Sequence, residues 1–197
     1  MSERTLNESV FQCKDMISQI YEDKTLKTNI LEVANVIKSA IKKGNKVLFF
    51  GNGGSAADAQ HMAGEFVCRF MLNRQALPGI ALTTDSSVIT AIANDYDFKS
   101  IFSRQIEGIS QKGDIAFAIS TSGSSENILV ALEKSKDLGL TTIGLSGQTG
   151  GSMAAYCDYM ILVPSISTPR IQEGHLLIEH IICGIVEELL YGNGPIH

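Results

Sequence analysis

Residues 46–70 read KVLFFGNGGSAADAQHMAGEFVCRF. The apolar run Val47–Phe50 stops at Gly51-Asn52-Gly53-Gly54-Ser55, and a segment with helical spacing follows, carrying His61, Glu65 and Arg69. An apolar run of strand length, a glycine turn and a helix form one strand–loop–helix unit. Glycines tolerate positive φ and leave room for a ligand against the main chain. Ser55, with Asp58 three residues on, is expected to cap the helix as an acidic variant of the capping box. The free N–H groups at that helix start would face whatever sits in the turn. The turn matches neither G-x-G-x-x-G nor G-x-x-x-x-G-K-[ST], so a nucleotide fold is not indicated. A tight turn with no ligand suits the same residues.

The unit recurs along the chain. GIAL (79–82), IAFAIS (115–120), TTIGL (141–145) and YMILV (159–163) are further short runs, mostly apolar on both faces and mostly separated by helical patterns. This predicts an α/β fold: a doubly wound, five-stranded parallel sheet flanked by helices. Expected caps are Asp85 or Ser86 for a segment to about Asn94, and Ser124 or Ser125 for a helix from Glu126 to Leu138 ended by Gly139. Thr168 before Pro169 should start a long helix reaching Leu190. Before the first strand, Val10, Cys13, Ile17, Ile20 and Tyr21, then Ile30, Val33, Ala34, Ile37 and Ile41, recur at three-and-four spacing. Residues 1–43 therefore read as two helices preceding an α/β core at 44–197, all one domain. These helices exceed what one small sheet needs; with the broad C-terminal helix they suggest surface buried between subunits, an extra helical layer on a monomer being the alternative.

Sixteen Lys and Arg against 21 Asp and Glu give a net charge of −5, which argues against nucleic acid or a membrane surface as partner. The most apolar C-terminal stretch, residues 176–190, is interrupted by Glu179, His180 and Glu187, too charged to span a bilayer comfortably. The N-terminus has no signal-peptide pattern. Cys13, Cys68, Cys157 and Cys183 form no C-x-x-C motif and read as reduced core residues of a cytoplasmic protein.

Three further constellations bear on chemistry. ISTSGSSEN (119–127) crowds Ser120, Thr121, Ser122, Ser124 and Ser125 into one loop between a strand and a helix, a neutral cradle for a phosphate or sugar. In an open parallel sheet such loops gather at the carboxyl ends of the strands, where ligands bind. His61 and Glu65, at i and i+4, share a helix face; a metal pair, an acid/base pair or a solvated pair all suit that spacing. Gln172, Glu173, His175 and His180 lie on the last helix, and one broad face can present Gln172 and His180. Imidazole, carboxylate and amide oxygen together suit a divalent ion such as zinc.

Together GNGGSAADAQHMAGEF (51–66), AIANDYDF (91–98), ISTSGSSENI (119–128) and TPRIQEGHLLIEH (168–180) resemble the SIS (sugar isomerase) domain, and within it the phosphoheptose isomerases, over nearly the whole chain. The resemblance implies conversion of sedoheptulose 7-phosphate to D-glycero-D-manno-heptose 7-phosphate through an enediol. It implies that Asn52, Gly53, Gly54 and Ser55 line the sugar-phosphate site and that Asn94 and Asp95 contact it from the next loop. Ser120, Thr121, Ser122 and Ser125 would hold the phosphate. His61, Glu65, Gln172 and His180 match the family's zinc ligands, one ion per subunit, with Glu65 and Gln172 also reaching substrate. A homotetramer with sites between subunits is implied as well. Glu65 is the expected base and His180 the expected acid, with Asp95 or a water as alternative if both bind zinc tightly. One departure stands out: Pro169 occupies a position where some of these isomerases carry an aspartate. The TPRIQE form also occurs in non-catalytic relatives, so a tetrameric module docking a replication initiator or sensing sugar phosphate is the alternative. An isomerase or lyase for another sugar phosphate is a second.

Overall fold

The structure, a computed structural model, describes residues 2–192. Five strands, β1 (Val47–Gly51), β2 (Gly79–Ala81), β3 (Ile115–Ser120), β4 (Thr141–Gly147) and β5 (Tyr159–Val163), form one sheet in the order β2-β1-β3-β4-β5, every pair parallel. β1, β3 and nearly all of β4 are buried end to end, the physical counterpart of their continuous apolar runs. β2 is a three-residue edge strand with Ile80 exposed, shorter than the GIAL run suggested.

Among the described residues seven helices flank the sheet: α1 (Ser2–Glu22), α2 (Lys24–Lys42), α3 (Gly54–Val67), α4 (Ser86–Asp95), α5 (Ser103–Ile109), α6 (Glu126–Asp137) and α7 (Thr168–Tyr191), with short 3-10 turns at Phe98–Ser100 and Gly151–Ala155. Alternation along the strands splits the core. Val47, Phe49, Ile115, Phe117 and Ile119 face α2, α3 and α7, with Met16 and Ile20 of α1. Leu48, Phe50, Ala116 and Ala118 face α5, α6 and the 3-10 turns. Phe49 anchors the first half, its ring 5.2 Å from Phe66 edge-on and 5.5 Å from Phe117. The connection from β1 to β2 covers one face and that from β2 to β3 the other, so the topological switch falls between β1 and β3.

Side-chain caps start two of the helices. Asp23 accepts from the Leu26 N–H at 2.9 Å, and Asp85, not Ser86, accepts from the Val88 N–H at 2.9 Å. Ser55 does not cap α3: the helix begins one residue earlier, Gly53 is its N-cap at φ 57, and Ser55 is buried in the first turn. A side-chain-bearing cap would resist that φ, so the turn is made by the glycine and the capping box never forms. The N-cap position of α7 is Ser167, not Thr168, and its side chain makes no cap hydrogen bond; Thr168 is the first helical residue. All four cysteines are free, but Cys68 is exposed at the end of α3, contrary to its reading as a core residue. Burial pushes the Cys157 thiol up to about 12 and raises that of Cys183 as well, so both stay protonated thiols. The short helix α5 and the two 3-10 turns have no counterpart in the sequence reading.

Candidate active site

β1 gives way to α3 in two residues, and only glycine permits it. A Cβ on Gly51 would lie 2.6 Å from the Ser55 carbonyl oxygen and 2.7 Å from that of Ile119 on β3. One on Gly54 would overlap the Gln172 amide of α7. The neighbour that the glycine run admits so closely is therefore the chain itself: β3 on one side, α7 on the other. Asn52 is locked to Asn127, each amide donating to the other's oxygen at 2.8 and 2.9 Å, which ties the first loop to the start of α6. In the second loop the Ser120 hydroxyl accepts from the Gly123 N–H at 3.2 Å, and Ser146 donates to the Ser120 carbonyl at 2.7 Å. Beside it, Thr121, Ser122, Gln148, Thr149, Ser165 and Thr168 line a cavity of about 350 Å³ at the ends of β3, β4 and β5.

α2 and α4 are capped by aspartates. α3, α6 and α7 begin at Gly53, Ser125 and Ser167 without a side-chain cap. No side chain therefore covers these starts, although in α3 the Ser55 and Ala56 N–H groups already donate to the Asn52 and Gly53 carbonyls at 3.0 and 3.1 Å, and an anion between α3 and α6 would share them.

α3 and α7 pack side by side and run in the same direction. Gln172 lies against Gly54, His180 against His61 and Cys183 against Met62, the sulfur atoms of the last pair 3.6 Å apart. His61 and His180 bring their Nε2 atoms to 2.8 Å, and His61 Nε2 lies 3.5 Å from a Glu65 carboxylate oxygen. The three residues offer ligand atoms all within 4.8 Å of one another. Two imidazole nitrogens bound to one tetrahedral zinc at 2.0–2.1 Å would sit roughly 3.3 Å apart. The observed spacing approaches that value, so the donor set fits such an ion with a small opening of the pair.

Beneath the cluster lies a buried polar layer. His175 and Glu179 are fully buried on α7; among the described residues no partner lies within normal hydrogen-bond geometry of either ring nitrogen, either carboxylate oxygen, or one oxygen of Asp58 on α3. Burial lowers His175 to about 4, against a smaller opposing pull from the Ser146 main chain, so the ring is neutral. Burial, aided by the charge of Asp58, raises Glu179 to about 8, which keeps its carboxyl protonated. Asp58 is raised by burial too, with His61 pulling the other way.

Of the residues singled out in the sequence, His61, Glu65 and His180 converge. Gln172 lies about two helical turns before His180 on α7, its amide against Gly54 at the start of α3. Ser120 is buried, while Thr121, Ser122 and Ser125 line the loop with varying exposure. Asn94 and Asp95 are exposed at the end of α4, where Asn94 donates to Asp95 at 2.8 Å. Several residues escaped notice: Asn127, Phe70, whose ring stacks on His180 at 5.4 Å, and the buried pair Arg74–Glu187. Asn127 stood in the quoted serine-rich motif; the others carried no spacing signal.

The SIS domain family model matches residues 11–147. The chain is 56% identical over 176 residues to phosphoheptose isomerase 2 of Campylobacter jejuni, covering 89% of this chain and 88% of that protein. It is 51% identical over 174 residues to the phosphoheptose isomerase of Clostridium acetobutylicum, covering 88% and 89%. Among solved structures, a phosphoheptose isomerase from Francisella tularensis superposes with a TM-score of 0.92 at 36% identity, covering 95% of this chain and 99% of that one. With these similarities over most of its length, and with the fold and loops that carry them, the chain belongs to the phosphoheptose isomerases of the SIS domain family.

Proposed function

We propose that this enzyme interconverts sedoheptulose 7-phosphate and D-glycero-D-manno-heptose 7-phosphate. The observation that carries the reading is the pairing of an anion site with a reacting cluster along one helix. The uncapped start of α3 and the Ser/Thr loop suit the phosphate. From Gly54 to His61 the helix rises about 10 Å, close to the reach of an extended seven-carbon sugar phosphate. Binding energy from the phosphate end, through Gly53, Gly54, Ser55, Ser120, Thr121, Ser122 and Ser125, positions C1 and C2 at the other. Asn52, Gln172, Asn94 and Asp95 complete the proposed sugar contacts.

Glu65 takes the C1 proton of the open-chain ketose; the C–H electron pair becomes the C1=C2 bond, and the C2 oxygen accepts a proton from His180. Glu65 then returns the proton to C2 while His180 takes the proton of the C1 hydroxyl, giving the aldose and restoring both residues. No electrons leave the substrate. Zinc, one per subunit, would be held by His61, Glu65, His180 and Gln172 and would stabilise the charge that builds on the substrate oxygen; where it engages Glu65 and His180 tightly, Asp95 or a water takes over their proton transfer. The fit of the three converging donors supports this assignment.

The exposed apolar residues of α1 support a homotetramer with sites between subunits. No helix among the described residues is long and apolar enough to cross a membrane, and the chain reads as one domain acting in the cytoplasm. The non-catalytic alternative has no use for a convergent carboxylate and imidazole pair.

The test is turnover of sedoheptulose 7-phosphate by wild type, with and without chelator, beside Glu65→Gln and His180→Gln. Each substitution is expected to lower kcat by at least about a hundredfold while leaving inhibition by inorganic phosphate unchanged. Near-normal turnover in either variant removes that residue from its role. An inactive wild type overturns the reaction assignment.

A further inference from the structure

The loop after α3, residues 68–76, is fastened to α7 by one buried ion pair. Glu187 and Arg74 are each 2% exposed in their side chains, with Arg74 Nε donating to Glu187 at 2.7 Å. The same carboxylate accepts the main-chain N–H groups of Phe70 at 2.9 Å, Met71 at 2.8 Å and Leu72 at 2.9 Å. The guanidinium reaches the other way, donating to the carbonyls of Glu65 at 2.7 Å, Phe66 at 2.8 Å and Gln75 at 3.0 Å. Two of these are carbonyls of the last turn of α3, which no helical N–H can satisfy. Both side chains are thus hydrogen-bonded along nearly their whole polar surface.

A buried ion pair is a poor stability device, because apolar residues of similar volume often serve as well. What this pair touches is more informative. Through its carbonyl, Arg74 holds the residue that carries the Glu65 carboxylate. Through its N–H, Glu187 holds Phe70, whose ring lies nearly parallel to that of His180, at 25°. One ion pair is linked to the proposed base and to the proposed acid, which stand on different helices, and it touches neither reacting atom.

We infer that Arg74 and Glu187 are positioning residues of the isomerase, setting Glu65 through its main chain and the His180 ring through Phe70. Placement of that kind, rather than fold, is what a supporting shell supplies to a catalytic pair. The inference rests on the isomerase reading.

The experiment compares Glu187→Gln, Arg74→Lys and Phe70→Leu with the double variant Phe70→Leu/Glu187→Gln, each confirmed folded by circular dichroism. Glu187→Gln and Phe70→Leu are each expected to lower kcat by at least about tenfold with KM within about threefold. The double variant should fall little below the worse single one, because both act on one ring. The imidazole NMR signals of His180, assigned with His180→Gln, should move in both single variants without substrate present. Ile106→Val, in the opposite half of the core, should lower the melting temperature and leave kcat and those signals in place. Unchanged kcat in folded Glu187→Gln, unmoved His180 signals, or multiplicative losses in the double variant each overturn the inference. If Glu187→Gln does not fold, Arg74→Lys, which keeps the charge but loses the fork, is held to the same kcat and NMR outcomes. An inactive wild type fails the isomerase reading instead, and the His180 signals still test whether the pair sets the ring.

Discussion

His175 is a neutral imidazole shut inside α7, and its cost is paid on the acid side. Its pKa is lowered by burial to about 4, against about 6.5 in an unfolded chain. Between those values the unfolded state binds the extra proton, so stability rises with pH through the window and is lost as pH falls through it. Across pH 7 to 4.5 the loss is on the order of 2–3 kcal/mol. Glu187 adds to the acid-side loss: burial pushes its carboxyl up, but the three N–H groups and Arg74 outweigh that and hold it below the usual range. Glu179 runs the other way. With its pKa raised to about 8, it stabilises the fold at low pH and progressively less as pH climbs from the ordinary glutamate range. The three contributions separate by substitution. His175→Gln should shrink the difference in unfolding free energy between pH 7 and pH 4.5 by about 2–3 kcal/mol, read from urea unfolding of chelated protein. An unchanged difference would mean that the ring is protonated in the fold.

Where α3 meets α7, the decisive feature is a missing methyl group. Alanine at Gly54 would suit the first turn of a helix and is expected to change stability by no more than about 1 kcal/mol. Its Cβ would nevertheless occupy the space of the Gln172 amide, the free end of a flexible side chain, which must swing away. Gly54→Ala should therefore lose at least about tenfold in kcat/KM with nearly native melting, and add nothing to a Gln172→Ala background. Additive losses would place the effect elsewhere. The same contact shows what a sequence can and cannot disclose about elements. Continuous apolar runs exposed the five strands because a parallel sheet buries both faces, and i, i+4 spacing exposed His61 with Glu65 because they share one helix. The approach of His180 to His61 spans 119 residues and depends on two helices running parallel, which no local period encodes. Arg74 and Glu187 were less legible still: Glu187 read as a polar break in an apolar run, yet it is buried because four donors meet it. The cap of α3 was misplaced for a related reason. Serine is a favoured N-cap, but Gly53 at positive φ made the turn first.

At the scale of the whole chain, the unresolved demand is apolar surface. α1 buries only Met16 and Ile20, while Val10, Phe11 and Tyr21 are 61%, 69% and 75% exposed. Ile17, Tyr21 and Leu31 border a groove of about 410 Å³ that continues over Leu177, Ile181 and Ile185 of α7. α4, with no buried residue of its own, carries Val88 partly exposed on the opposite side of the sheet. A folded chain rarely leaves such faces to water, and closed symmetric assembly is the usual means of covering them. α1 also reaches α7 close to the proposed site, with Arg170 donating to the Ser9 carbonyl and pairing with Glu173 at 2.6 Å. Assembly and catalysis should therefore fail together when this face is made polar. Light scattering of the wild type is expected to give four chains per particle, and Phe11→Glu, which cannot disturb the core of its own subunit, should give smaller particles, a lower melting temperature and reduced turnover. A wild type that stays monomeric at micromolar concentration would refute the tetramer, and a tetrameric Phe11→Glu with full activity would move the interface off α1.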